Sequence, residues 1–468
     1  MLKRFGLILV LLFCCLSLTS CYDAVDINDL GYVTMLGLDF GTKDDWQFTF
    51  QYPEFEGGEN AGAGSMKYAT LVLESASFYT AVQLANTNLP KELNFMHLKT
   101  LVFSQELAES GELNKMLTSL IRFKQIRRTV NILICKGKAF EFVDASKPYM
   151  GNLITDTLEE LLGNSHTTGL LPEVPLNTFY NAFMSPYNEG VGILGAINKG
   201  DNLPEAAEAQ KKALEQEGGG SQGDASGGGD SGNGESKEKP SGEEDKGDDK
   251  EKEKDNKTQE GEKANEISGD IVAGEVLRAG GNELEVLGSA LFSKGKMVGS
   301  LTGFETQMML MLRGELERSV FSMPDPQMED YQVAIDIREF DTPQYKIRIE
   351  DGKPKINVRV FLEGEIVSIQ SRINYEDPDK QEPLKKAFEE YINKGLEQTI
   401  KKCQEKNTDV LSFGQRAANH FATIQEWEKY KWNEKFSQAE IKTEVEFTVR
   451  RTGTMTDSYH VEERSGLP

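Results

Sequence analysis

The chain has 468 residues, 27% of them charged and 38% hydrophobic, and a formal net charge of -24. Its length suggests about two to four domains, and its acidic balance argues against a nucleic-acid partner, because the phosphate backbone requires a basic protein face. Much of the charge is local, since residues 201–270 alone contain 21 acidic and 10 basic side chains.

The first residues have the pattern of a secretory signal. Lys3 and Arg4 precede an apolar run at 5–16, which is too short to span a bilayer because a spanning helix needs about 20 apolar residues. Leu18-Thr19-Ser20-Cys21 follows and has the pattern of a lipobox, with an aliphatic residue, two small residues and a cysteine. We therefore predict a signal peptide at 1–20 and a diacylglycerol thioether on Cys21, which would anchor the mature chain because two acyl chains bind a membrane stably.

Five cysteines occur in the sequence. Cys14 and Cys15 lie inside the apolar run without the small-residue context, which disfavours the alternative of a plain signal peptide with a chance cysteine at 21. Beyond the anchor only Cys135, in an apolar strand, and Cys403, on the apolar face of a helix, remain. We predict that both are buried free thiols, although a disulfide between them is chemically possible outside the cell.

Residues 21–185 mix strand and helix patterns, which predicts an N-terminal α+β domain. Apolar runs bounded by turn residues predict strands at 33–40, 46–50, 98–103 and 130–135. Apolar spacing of three and four residues predicts helices at 77–85, 113–123, 151–162 and 176–183.

A middle domain is predicted at 186–315, with an interruption at 201–268. The interruption is rich in Gly, Ser and charged residues and lacks aromatic residues, so it cannot bury enough apolar area to offset its ordering entropy. We predict a disordered acidic linker, either an insertion tolerated in a surface loop, which is the simpler interpretation, or an acidic interaction arm. The folded remainder is predicted to contain a strand at 191–197, a hairpin at 286–299 and a buried helix that begins with a capping box from Thr302 to Glu305.

Residues 316–468 form the predicted C-terminal domain. Alternation of apolar and polar residues at 331–337, 356–362 and 445–449 predicts half-buried strands of an antiparallel sheet. Helical patterns at 378–404 and 413–431 predict long helices packed on one face of that sheet. The predicted fold class is therefore α+β, with three mixed α/β domains in an elongated lipoprotein.

No pattern indicates a catalytic, cofactor-binding or metal site. The four histidines, His97, His166, His420 and His460, do not cluster at metal-ligand spacing, and phosphate-loop and Gly-x-Ser-x-Gly motifs are absent. For the other candidates, structural roles are favoured over binding or catalytic ones. These roles are packing or capping for His97, helix capping for Glu305, core packing for Trp427 and Trp432, and a solvated strand end for Arg450 and Arg451.

Four segments, in order, resemble the Ger(x)C family of spore germination lipoproteins. They are Cys21 to Leu30 followed by Gly37-Leu38-Asp39; Gly288-Ser289-Ala290-Leu291-Phe292; Gly295 to Gly299 followed by Gly303-Phe304-Glu305; and Val410 to Gly414 with Trp427, Trp432 and Arg450 to Gly453. Tyr22 stands where the family has Trp, Asp26 stands where it has Glu, and the acidic insertion is a further departure.

The resemblance implies a non-enzymatic subunit of a nutrient germinant receptor. Such a C subunit is a three-domain lipoprotein on the outer face of the cell or inner spore membrane, with the A and B receptor subunits as partners, and no cofactor is implied. Two alternatives stay open at this point. A solute-binding lipoprotein would need a polar cleft for a small nutrient, and a surface hydrolase would need a clustered nucleophile and base.

Overall fold

The computed structural model describes residues 4–6, 26–43, 46–54, 67–147, 154–200 and 270–451. Cys21, His460 and the predicted linker at 201–268 lie outside the described residues. Within them the strands form two large sheets and one short parallel pair, in which β1 (Leu30–Tyr32) lies beside β5 (Glu92–Asn94).

The larger sheet has eight strands. In chain order they are β2 (Met35–Phe40), β3 (Trp46–Glu54), β4 (Lys67–Ser75), β6 (Thr100–Ser104), β7 (Asn131–Cys135), β8 (Val191–Ile197), β9 (Leu284–Ser293) and β10 (Lys296–Leu301). Their order across the sheet is β10-β9-β8-β7-β6-β2-β3-β4. The four central strands β8, β7, β6 and β2 run parallel, and an antiparallel pair flanks them on each side. Strand β6 is buried along its whole length, as its continuous apolar run requires.

Short helices connect these strands. They are α1 (Phe78–Asn88), α2 (Gln105–Ser110), α3 (Leu113–Leu120), α4 (Ala139–Ala145), α5 (Ile154–Gly163), α6 (Ser165–Thr168) and α7 (Leu176–Met184). The parallel centre of the sheet follows from these connections, because a helix between two strands returns the chain to the same end of the sheet.

Strand pairing crosses the predicted domain boundary at residue 185. Strand β8, which follows that boundary, pairs in parallel with β7, which precedes it. The strands assigned to the N-terminal and middle domains therefore share one sheet and one hydrophobic core. The division into three domains itself stays a prediction.

The second sheet has four strands, β11 (Ser319–Asp325), β12 (Met328–Glu350), β13 (Lys353–Ile369) and β14 (Glu440–Arg451). The long helix α9 (Pro378–Glu405) packs on β14 through its apolar face, which confirms the predicted arrangement of a sheet packed with a long helix. The prediction of a purely antiparallel sheet is wrong for its last strand, because β14 pairs with β13 in parallel. The connection through α9 carries the chain back before β14 begins, and alternation within a strand does not reveal its direction.

The predicted second helix at 413–431 is broken into short pieces. Helices α10 (Phe413–Ala417) and α11 (Ile424–Tyr430) are separated by a 3-10 turn at Ala418–His420 and by residues 421–423, of which Phe421 and Thr423 are extended, and α12 (Trp432–Phe436) follows. Lys431, with φ of 57°, is left-handed and ends α11, while the Thr423 side chain caps its start. The apolar spacing was therefore correct in type, but the stop signals within it were missed.

The buried helix α8 (Gly303–Arg313) joins the two sheets. Its predicted capping box is present: the Thr302 side chain accepts the N–H of Glu305, and Glu305 accepts the N–H of Thr302. Nine of its eleven residues are buried, so the prediction of a helix that is apolar nearly all round is confirmed.

Candidate functional site

The predicted lipid-attachment residue, Cys21, lies outside the described residues and stays a prediction. The next described segment starts at Asp26, whose carboxylate accepts the N–H of Asn28 at 2.9 Å and caps a 3-10 turn at Ile27–Asp29. Four residues lie between Cys21 and Asp26, and the five steps of chain that join the two can span at most about 18 Å. No helix among the described residues is long and apolar enough to cross a bilayer.

Cys135 and Cys403 are buried and free, as predicted. Burial raises the pKa of each thiol far above its ordinary value, and the charges of Asp39 and Asp409, respectively, raise it further. Both thiols are therefore held protonated at neutral pH, which makes them unreactive because the thiolate is the nucleophile.

Among the described residues, the histidines do not belong to a cluster that could hold a metal ion. Across the described ranges no group of three His, Cys, Asp or Glu side chains could hold a metal ion. The His97 ring packs edge-on against Tyr32 with 4.7 Å between ring centroids, as the packing interpretation expects. His166 Nδ1 lies 2.9 Å from a carboxylate oxygen of Glu317, and His420 is exposed in the 3-10 turn after α10.

A cleft of about 550 Å³ opens where the chain enters β6 and β7. Its polar walls include His97, Lys99, Arg127, Glu159 and His166. Lys99 Nζ already donates to Glu159 at 2.6 Å, so one cation and one carboxylate of the cleft neutralise each other. The cleft could hold a small polar solute, and its lining hydroxyls, Thr129 and Ser165, make no hydrogen bond to a base among the described residues.

Asp39 and Gly37 dock helix α4 on the larger sheet. The Asp39 carboxylate is 1% exposed and accepts the N–H groups of Ala139 and Phe140, both at 2.9 Å. These amides begin α4, whose own cap residue supplies no side-chain hydrogen bond. A Cβ on Gly37 would lie 3.0 Å from Val143, so the glycine allows the helix to pack closely. The buried carboxylate thus serves as a remote helix cap.

Asp409 organises a second buried centre. Its carboxylate accepts the N–H groups of Phe413 and Gly414 and the indole N–H of Trp432, the last at 2.7 Å. Burial raises the pKa of Asp409, and these hydrogen bonds oppose that rise by stabilising the ionised form. In the turn between Asp409 and Phe413, Ser412 adopts a left-handed φ of 62°.

The same region attaches the C-terminal segment to the chain near residue 187. The Trp427 indole N–H donates to the Pro186 carbonyl at 2.8 Å, and the Trp427 and Trp432 rings stack at 5.4 Å. Glu189 accepts the backbone N–H of Lys294 and an amide N–H of Asn433. The prediction that both tryptophans are core residues is confirmed, since they are 2% and 4% exposed.

Comparison with known proteins identifies the family. The family model described as spore germination protein N-terminal domain matches residues 23–197. The model described as spore germination B3/GerAC like, C-terminal, matches residues 287–453. The chain belongs to this family of spore germination proteins. The resemblance seen in the sequence is thereby confirmed.

Two relatives of this GerAC-like chain align with it over nearly its whole length. It is 21% identical to the spore germination protein KC of Bacillus subtilis (strain 168), over 97% of each chain. It is 19% identical to the spore germination protein B3 of the same organism, over 95% of this chain and 97% of the relative. A solved structure, the crystal structure of the GerBC protein, aligns with a TM-score of 0.47 and 14% identity over 89% of this chain and 96% of that one.

The positions that carried the GerAC-like resemblance occupy structural centres. Gly37 and Asp39 hold α4 against the sheet. The Gly414 backbone N–H and the Trp432 indole N–H both donate to the Asp409 carboxylate. Glu305 fulfils its predicted capping role and also pairs with Lys402 of α9 at 2.5 Å. The contacts of Asp39 with α4 and of Glu305 with Lys402 join parts of the chain that are distant in sequence, whereas the Asp409 contacts are local.

Three acids that hold these structural centres together do not stand out in the sequence. Asp39 lies between Leu38 and Phe40, and that placement was the available signal, but it does not name a partner, while Asp409 follows the polar Asn407 and Thr408 and carries no such signal. Glu189 lies in a loop without any pattern. Arg450 is exposed and paired with Glu363, as expected for a solvated strand end, and the Arg451 side chain is outside the described part.

Proposed function

We propose that this protein is a lipid-anchored, non-catalytic subunit of a spore germinant receptor, which docks on membrane receptor subunits and is needed for nutrient-triggered germination. The observation that carries the proposal is the order of the segments: a lipobox ending at Cys21 directly precedes the first family match at 23–197, and the second match follows at 287–453. The membrane partners would be the A and B subunits, and the diacylglycerol on Cys21 would hold the chain beside them.

The hydrogen bonds that the buried carboxylates accept support a non-catalytic role for the protein. Asp39 and Asp409 have their oxygens occupied by backbone or indole N–H donors, so neither is poised to accept a substrate proton. A catalytic carboxylate needs reach to a reacting atom, whereas these two are enclosed and stabilise packing.

The anchor is tested by replacing its sulfur. In a Cys21→Ala strain we expect the chain to leave the spore-membrane fraction and the nutrient response to fall at least about tenfold, because the unlipidated chain lacks the hydrophobic attachment. Cys15→Ala is the matched control, since it removes a leader cysteine that lacks the lipobox context. Normal germination of Cys21→Ala spores, or an unmodified thiol at Cys21 in mass spectra of the mature chain, would contradict the proposal.

The partners are tested by crosslinking. Chemical crosslinking in spore membranes, followed by affinity isolation of this chain, should recover the A and B receptor subunits. The same isolation from Cys21→Ala spores is the control, and it should recover much less of either subunit. Recovery of this chain alone from wild-type membranes would rule out the docking role.

The cleft beside His97 favours a second candidate, a solute-binding lipoprotein that takes up a small nutrient directly. It has a suitable volume and polar walls from several elements. Calorimetric titration of the purified chain with amino acids and sugars separates the two functions. Heat of binding that disappears in Lys99→Ala, with an unchanged unfolding transition, would favour solute binding, and absence of any heat favours the docking subunit.

A further inference from the structure

The loop between α3 and β7 carries a concentrated positive charge on an otherwise acidic protein. In residues 121–128, here called the basic loop, four cationic side chains are exposed: Arg122, Lys124, Arg127 and Arg128. Within the described ranges none of the four has an ion-pair partner. Nearby Lys99 and Lys115, in contrast, pair with Glu159 and Glu112. The loop therefore presents free cations although the whole chain has a net charge of -24.

The backbone of the basic loop is fixed. The Phe123 ring packs against Phe78, Tyr79 and Phe95, with centroids 5.1 to 5.3 Å apart. The Gln125 side chain accepts the N–H of Phe95 at 3.0 Å, and Ile126 is buried. Because the apolar residues of the loop point inward, the cations between them are held outward as a set.

Exposed apolar side chains border these cations. Tyr79 and Met96 are each 51% exposed, and each adjoins a ring that packs with Phe123. A surface with cations and a few exposed apolar side chains suits the headgroup layer of a bilayer, where charge meets phosphate and the apolar groups enter the boundary.

The first described segment after Cys21, which includes β1, lies at the same corner of the molecule. Strand β1 pairs with β5, which immediately precedes Phe95 and Met96, and the Tyr32 ring contacts His97. The segment that leads back to Cys21 therefore starts beside the basic loop. With at most about 18 Å of chain between Asp26 and Cys21, the anchor would hold this corner at the membrane.

We propose that the basic loop binds the anionic phospholipid headgroups of the membrane and sets the orientation of the protein on its anchor. The occupant is a lipid surface, because the cations complement it and β1, which follows the predicted anchor by a few residues, adjoins the loop. An anionic surface repels the remainder of this acidic protein, so the basic loop selects which side faces the bilayer. The proposal rests on the proposed function only for the presence of the membrane, since the loop's own affinity does not need the lipid on Cys21.

The test uses the unlipidated mature polypeptide (residues 22–468) and vesicle cosedimentation. Vesicles contain either phosphatidylcholine alone or about one-third phosphatidylglycerol. We expect binding only to the anionic vesicles and a loss of roughly tenfold or more when Arg122, Lys124, Arg127 and Arg128 are all replaced by Gln, because each cation near such a surface contributes to affinity. Binding should also weaken as salt is added.

A matched control neutralises four exposed cations of the second sheet, Arg338, Lys346, Arg348 and Lys353. This variant should bind like the parent, and thermal unfolding should show that both variants are folded. Equal binding to neutral vesicles, equal loss in the control variant, or binding that emerges only after removal of the acidic segment 201–268 would overturn the proposal. Each of these results leaves lipidation of Cys21 untouched, and failure of Cys21 lipidation would leave the vesicle result standing.

Discussion

At the scale of single residues, buried carboxylates carry most of the long-range order near the signature positions. Asp39 connects β2 to the start of α4, which lies one hundred residues later in the chain. Because water is excluded there, its two N–H donors would be left unsatisfied without it, and an unsatisfied buried donor costs about 1–3 kcal/mol. The negative charge also complements the positive end of the helix dipole.

Asp39→Asn should therefore destabilise the fold although it preserves the shape of the side chain. The Asn amide keeps one acceptor oxygen, but its NH₂ group would face a backbone N–H, which needs an acceptor. That N–H would be left without a hydrogen bond, so we expect a loss of about 2 kcal/mol in the free energy of unfolding. Urea denaturation at neutral pH measures it. Asp26→Asn, at an exposed cap, is the control and should change little; equal losses in the two variants would contradict the capping role of Asp39.

The Glu339 carboxylate is largely buried, so its ionised form destabilises the folded state. It lies in β12, one of its oxygens is buried without a hydrogen-bond partner, and burial raises its pKa to about 8. The Leu316 backbone donates to it and lowers that value, while the charge of Glu315 raises it. Because the folded pKa exceeds the unfolded one, the folded state binds more protons between about pH 4.5 and 8.

Stability should consequently fall as pH rises through this window and level off above it. Glu339→Gln removes the titration, so the variant should exceed the parent protein in free energy of unfolding at pH 9 by an amount on the order of a few kcal/mol. At pH 5 the two should differ much less. Urea unfolding at both pH values tests this, with Glu329→Gln, exposed in the same strand, as control. An unchanged difference between the two pH values would rule out Glu339 as the titrating group.

At the scale of elements, the β9–β10 hairpin depends on a glycine at its base. Gly288 has a φ of 86°, and a Cβ there would overlap the carbonyl oxygen of Leu301 in the partner strand. Its N–H donates to the Leu170 carbonyl at 2.8 Å, so the backbone cannot shift freely. The position therefore needs glycine for two separate reasons: its φ is positive, and the Leu301 carbonyl oxygen leaves no room for a Cβ.

Gly288→Ala and Gly352→Ala separate these reasons. Gly352 also has a positive φ, 73°, but nothing lies within 4 Å of the position of its Cβ. We expect Gly352→Ala to cost about 1 kcal/mol through backbone strain alone, and Gly288→Ala to cost at least about 2 kcal/mol more because the strand must move. Differential scanning calorimetry should show the larger fall in melting temperature for Gly288→Ala. Similar melting temperatures would mean that the hairpin relaxes around the added methyl group.

Sequence periodicity was sufficient for the type of most elements and insufficient for their connections. Alternation at 331–337 identified β12, but its full extent, Met328–Glu350, was missed because bulges after Glu339 and Asp341 shift the alternation. The parallel direction of β14 was also missed, since the same alternation fits either direction. Core roles of Trp427 and Trp432 could be predicted from apolar spacing.

The carboxylate centres could not be predicted in the same way. The partners of Asp39 are backbone N–H groups one hundred residues away. Because nearly every residue has a backbone N–H, the sequence does not indicate which of them a carboxylate will bind. Asp409 depends on a left-handed Ser412, a conformation that is uncommon outside glycine. The Asp39 contacts thus depend on tertiary packing and the Asp409 contacts on an uncommon backbone conformation, and local side-chain patterns indicate neither.

At the scale of the whole molecule, the acidic segment enters and leaves between two paired strands. Strands β8 and β9 are antiparallel neighbours, and the Gly280 N–H donates to the Gly200 carbonyl at 3.0 Å. After the segment, the chain resumes beside β9, where the Ala273 N–H donates to Leu287. From these pairings the two ends are separated by about 20 Å, or some six residues of extended strand.

Replacement of 203–268 by about ten Gly and Ser residues should therefore preserve the fold, because such a linker has an average span close to that separation. A shorter loop loses less entropy on closure, so we expect the free energy of unfolding to rise by roughly 1 kcal/mol. A variant with 203–268 shuffled but equally long controls for composition and should match the parent. If the segment is only a tolerated insertion, spores with the short linker germinate normally. A fall in stability, or loss of the nutrient response in a folded short-linker variant, would instead assign the acidic segment a contact or a function.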